Sequence, residues 1–311
     1  MRDPPGPVTG PALLPHIVRQ RRGSEDRAMT MPLINCHDLQ ARLADPVLLL
    51  VDCRFDLADR DWGRREYLGG HLPGAVFAHM EHDLSGPLTA TSGRHPLPSA
   101  QQFAATLGRW GFTAHSPVVA YDQGHGAGAA RLWWLLQAAG WPRVQVLDGG
   151  LAAWKSAGLP LETGVVGRTP TGVAARELRG WLSSLELQQA LAKDAVLLVD
   201  ARAADRFAGR NETIDPVAGH VPGARCHPFA TNLGDDGCFL PADALRARWH
   251  TTLAGRGPAA LVSMCGSGIT GCHNLLAMAQ AGLPGGRLYA GSWSEWIRDP
   301  ARPVARGEMG S

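Results

Sequence analysis

The sequence predicts an α/β protein of two tandem domains, each a mostly parallel sheet flanked by helices. Three observations predict it. A set of segments occurs twice in the same order, and short apolar runs alternate with longer helix-like stretches. The length of 311 residues also suits two ordinary cores better than one large one.

The repeat is the strongest of these. Val47–Asp52 recurs as Val196–Asp200, and Gly70-His71-Leu-Pro-Gly-Ala75 recurs as Gly219-His220-Val-Pro-Gly-Ala224. Val118–Asp122 matches Ala260–Cys265, and Leu147–Trp154 matches Leu288–Trp296 with one residue inserted. The offset between partners is nearly constant. Chance similarity of apolar strands would explain one pair, not four. Between the halves, residues 164–179 hold Gly164, Gly167, Pro170 and Gly172, the composition of an exposed linker. The domains are therefore expected at 31–163 and 180–311. Within them, Arg131–Ala139 and Asn274–Ala281 read as helices that stop at Gly140 and Gly282.

Residues 1–30 read as a disordered extension. Five prolines lie between Pro4 and Pro15, and Arg19, Arg21 and Arg22 follow the short Ala12-Leu13-Leu14 run. That order is wrong for a secretory signal. Met29 and Met31 are candidate starts. Thirty basic and 28 acidic residues leave a charge of +2, which gives no field for a nucleic-acid partner. No apolar run approaches the roughly 20 residues a bilayer span needs, so no membrane partner is expected. The six cysteines lack a CxxC pair, which argues against zinc, and their irregular spacing suits reduced thiols in the cytoplasm.

The chemistry points to Leu261-Val-Ser-Met-Cys265-Gly-Ser-Gly-Ile-Thr270. An apolar run ends at a cysteine, a glycine-containing loop follows, and a helix begins. Unpaired N–H groups at a helix start, a favourable dipole and a tight loop all stabilise an anionic sulfur. The plainer reading is a core cysteine at a strand end. The first half carries Asp122 at the matching place, which fits one working and one degenerate catalytic domain. A cysteine phosphatase would need an arginine six positions on, where Gly271 stands. A cysteine hydrolase would need a base beside the thiol, and His273 lies at least a helical turn away. A binding module that merely keeps the fold is the third alternative.

These residues resemble the tandem-domain rhodanese family, the thiosulfate and 3-mercaptopyruvate sulfurtransferase group. The likeness covers about residues 33 to 305. It rests on Asp200-Ala-Arg202, Arg206-Phe207, Gly219–Ala224, Cys265–Thr270 and Gly291-Ser-Trp-Ser-Glu-Trp296 together. It implies a ping-pong cycle in which Cys265 takes sulfane sulfur as a persulfide and passes it to a thiol, a thioredoxin-like protein or cyanide, with no cofactor. Gly266, Ser267, Gly268, Ile269 and Thr270 look more like the mercaptopyruvate type, with thiosulfate the alternative donor. Ser267 is then expected to hydrogen-bond the ketone or relay a proton; otherwise it caps the next helix. Arg206 is implied as the donor's carboxylate partner, or else forms a surface pair with Asp205. The family's second arginine is missing from Asn211–Ala218, with Arg210 the only nearby substitute. His71 and Asp61 are implied as the first-domain partners of Ser267, whereas His220 reads as structural.

Overall fold

The computed structural model describes residues 1, 2 and 31–308. The extension expected at 1–30 lies almost wholly outside the described residues. The first half builds β1 (Leu33–Ile34), α1 (Cys36–Gln40), β2 (Leu49–Asp52), α2 (Trp62–Gly69) and β3 (Val76–Phe77). It continues with α3 (Ala100–Arg109), β4 (Val118–Tyr121), α4 (Ala127–Ala138), β5 (Val144–Leu147) and α5 (Gly150–Ser156). Its sheet runs β1-β5-β4-β2-β3, all parallel. The second half builds α6 (Ser184–Ala192), β6 (Leu197–Asp200), α7 (Ala204–Phe207), β7 (Arg225–Cys226) and α8 (Ala242–Leu253). It closes with β8 (Leu261–Met264), α9 (Thr270–Gln280), β9 (Arg287–Leu288) and α10 (Ser292–Trp296). Its parallel sheet runs β7-β6-β8-β9. The architecture is the α/β pair of parallel sheets the repeat predicts.

Matched residues do matched work. Asp52 and Asp200 end the interior strands β2 and β6, and each holds a buried arginine two residues on. Arg54 and Arg202 then donate to Gly70 O and Gly219 O, fixing the turn that carries each Gly-His pair. Trp154 and Trp296 donate to Pro160 O and Pro303 O. Buried polar groups demand such partners, so the same pairs persist in both copies.

Helices α4 and α9 start about four residues earlier than the apolar pattern implies. Their first turns are glycine and small residues wrapped on the preceding loop, and periodicity gives no signal there. From Ala127 to Leu136 every residue of α4 is buried. A helix apolar on all sides must be covered on all sides. Here α4 lies between its own sheet and α9, and one apolar core runs through both halves. From Met31 onward the chain forms one compact unit. The segment 164–179 has no helix or strand, but it is pinned. Arg168 donates to Leu48 O and Gly74 O, and the Arg176 guanidinium stacks 4.8 Å from the Trp141 ring. Among the described residues, no helix is long and apolar enough to cross a membrane.

His273, in the first turns of α9, is fully buried with no partner for either ring nitrogen among the described residues. Burial lowers its pKa to about 3, with His125 and His227 adding to the effect. Such a group stays neutral in the fold while its unfolded counterpart titrates near 6.5. Between those values the unfolded state binds the extra proton, so stability falls as pH drops from about 6.5 towards 3. The slope from this group is up to ~1.4 kcal/mol per pH unit. Urea midpoints measured from pH 7 to 4 should fall accordingly, and less steeply in His273→Phe. An equal slope in that variant would show that other groups carry the effect.

Candidate active site

Cys265 follows β8, only 2 % exposed, in the crook between the strand and α9. The Ser267 and Gly268 amides point their N–H groups at its sulfur, at 3.4 and 3.1 Å. Cys265 N donates to Ser292 Oγ at 3.1 Å, and the α10 amides of Trp293 and Ser294 donate to the Cys265 and Gly266 carbonyls. The loop is thus held from both sides. Gly268 has φ +84°, and a Cβ there would lie 2.4 Å from Ala290 O. Ile269 is buried, and Thr270 opens α9. Below the loop Cys272 donates to Gly268 O at 3.2 Å; burial pushes its thiol up to about 12, so it serves as a neutral donor.

The first half repeats this cradle with a different occupant. Asp122 Oδ1 accepts from Gly124 and Gly126, and Oδ2 accepts from Gly128 and Ala129. The amides that would surround a sulfur surround a tethered carboxylate instead. The two loops thus share one arrangement of inward-facing N–H groups, around a sulfur in one half and a carboxylate in the other.

The partner of Ser267 is His95, not His71. His95 Nδ1 lies 2.9 Å from Ser267 Oγ, reaching over from the first half. His71 instead stacks on Tyr67 and bonds Tyr67 O at 2.7 Å, as His220 stacks on Phe207 and bonds Phe207 O at 2.8 Å. Both histidines therefore brace the same turn. Asp61 stands exposed at the start of α2, and among the described residues its side chain makes no hydrogen bond or ion pair with this loop. Two carboxylates, Asp56 and Glu81, line one cavity with His95, Arg94, Arg60 and Arg298. Burial first, then Arg131 and Arg94, lowers the His95 pKa to about 3, so its ring is neutral at ordinary pH.

Arg206 faces the loop from α7. It is not paired with Asp205 through its side chain. Glu212 takes its Nε and Nη2, and Asp215 takes Nη2 at 3.3 Å. Arg210 points elsewhere: it is exposed and meets Glu308 at 3.2 Å. The second arginine over the loop is Arg94, again from the first half, whose backbone N–H donates to Ser294 Oγ. Arg131 completes the crossing. Fully buried in α4, it donates to Gly268 O, His95 O, Pro96 O and Leu84 O, tying the loop to the segment that carries His95.

The fold and site together define a two-domain α/β protein with a buried cysteine cradled at the end of one parallel strand. The Rhodanese-like domain family matches twice, at residues 35–157 and 183–299. A Pseudomonas aeruginosa protein provisionally named 3-mercaptopyruvate sulfurtransferase is 50% identical over 279 residues, covering 89% of this chain and 98% of that one. A Mycobacterium tuberculosis protein provisionally named thiosulfate sulfurtransferase is 46% identical over 266 residues, covering 85% and 92%. The solved 3-mercaptopyruvate sulfurtransferase from Leishmania major superposes with a TM-score of 0.76 at 30% identity, covering 86% of this chain and 75% of that one. The chain belongs to the rhodanese family, in its tandem-domain sulfurtransferase group.

Proposed function

We propose that the chain moves sulfur from 3-mercaptopyruvate to a thiol, a thioredoxin-like protein or cyanide through a Cys265 persulfide. The observation that carries this reading is a sulfur facing two backbone N–H groups in a loop whose Ser267 is coupled to His95. The Cys265 thiolate attacks the donor's thiol sulfur. A sulfur–sulfur bond forms, the donor's carbon–sulfur bond breaks, and its electron pair leaves as the enolate of pyruvate. Ser267, with neutral His95 behind it, is placed to hydrogen-bond the enolate oxygen and to pass a proton to the leaving carbon. Arg206 attracts the donor's carboxylate. The acceptor's sulfur, or the carbon of cyanide, then removes the outer sulfur and regenerates the thiolate. All six cysteines are free, which suits a reducing compartment such as the cytoplasm.

The second reading takes thiosulfate as donor, favoured by the name of the M. tuberculosis relative. Purified protein mixed with each donor plus cyanide decides between them. Thiocyanate should form with a larger kcat/KM from 3-mercaptopyruvate. A larger value from thiosulfate would reverse the assignment, and no product from either donor would leave a binding module.

A further inference from the structure

Two arginines from different halves of the chain meet above the cysteine loop. A Cβ placed on Gly266 would lie 2.8 Å from Arg94 Nη2 and 3.8 Å from both Arg206 terminal nitrogens. One carboxylate joins them. Asp215 Oδ1 accepts from Arg94 Nη1, and Oδ2 accepts from Arg206 Nη2 at 3.3 Å. The Asp215 side chain is 2 % exposed. Glu212 takes up the remaining inner edge of Arg206. Among the described residues, Arg94 Nη2 and Arg206 Nη1 keep no acceptor, and both face Gly266.

We propose that Asp215 is a specificity-determining residue, which sets the charge of this anion subsite so that a 2-oxo carboxylate monoanion is accepted and a dianion such as thiosulfate is disfavoured. The inference rests on Cys265 taking sulfur from a small anionic donor beside these arginines. Glu212 also meets Arg202, which Asp200 holds, so three guanidiniums and three carboxylates cancel locally. A monoanion finds one free N–H from each arginine. The second charge of a dianion meets no further uncompensated cation and lies close to Asp215. Arg94, supplied across the chain, stands where Asn211–Ala218 offers no arginine, and Asp215 comes from that same segment.

Electrostatic work on a bound ion scales with its charge. Removing the Asp215 charge should therefore favour both donors, and the dianion by the square of the monoanion's factor. Steady-state kinetics of full-length Asp215→Asn with each donor and cyanide will read this. If KM for 3-mercaptopyruvate falls about threefold, KM for thiosulfate should fall about tenfold, with kcat changing little. Arg94→Gln removes a positive charge and should move the donor ratio the opposite way. Opposed shifts in the two variants support the charge filter. Unchanged ratios, or shifts in the same direction, overturn it. A wild-type enzyme that runs better on thiosulfate overturns the donor reading alone, because the opposed shifts still report the subsite charge.

Discussion

Cys265→Ser is expected to reduce thiocyanate formation at least ~1000-fold with either donor, because an alcohol neither ionises at neutral pH nor carries a second sulfur. The fold should survive. Serine fits the volume, and the Ser267 and Gly268 amides that donate to sulfur can donate to oxygen. Its unfolding free energy should stay within about 1 kcal/mol of the parent. Mass spectrometry of donor-treated parent protein should find one added sulfur on the peptide that contains Cys265, and none in the variant. Cys272 offers no substitute, since burial holds its thiol neutral. Substantial turnover by the variant would remove Cys265 from the chemistry.

The second large effect is expected at Gly268→Ala. The backbone there lies in the left-handed region, at φ +84°, and the new methyl would lie 2.4 Å from the Ala290 carbonyl oxygen. A left-handed alanine costs about 1 kcal/mol, and forcing a methyl against backbone adds ~1–3 kcal/mol. Either the turn between β9 and α10 that carries Ala290 moves or the loop opens. An open loop withdraws the Gly268 amide, which is the shorter of the two contacts to sulfur. Thermal unfolding should shift down by several degrees, and kcat should fall about 100-fold or more. Normal kcat in a correctly folded Gly268→Ala protein would show that the cradle does not depend on this geometry.

Much of this was legible in the chain itself. The two sheets follow from matched strands such as Leu49–Asp52 and Leu197–Asp200, whose apolar runs and terminal aspartates recur. Cys265, Ser267 and Gly268 lie within four residues, so local spacing alone brings them together. Arg206 faces the loop, but its partners Glu212 and Asp215 depend on how the following loop folds back. His95 and Arg94 were hidden because they come to Ser267 and Gly266 from about 170 residues away, across an interface that periodicity does not encode. His71 drew attention because its turn is conspicuous, yet a turn that recurs with the same hydrogen bond in both halves is a brace. One further signal existed. Leu97-Pro98 and Leu240-Pro241 form another repeated pair, and the residues just before them differ: Arg94-His95 in one half, Gly237-Cys238 in the other. Both stretches cross to the opposite half, where Gly93 meets Gly291 and Cys238 meets Gly149.

That reciprocal crossing has an architectural consequence. Each half extends an arm over its sibling's loop: the first half's arm brings His95 to the loop of Cys265, and the second half's brings Phe239 to a loop that already holds the Asp122 carboxylate. On the proposed reading, neither half owns a whole reaction centre. The duplicated copy is therefore not surplus material that could be trimmed away: removing it would take His95, Arg94 and Arg131 from its sibling's loop.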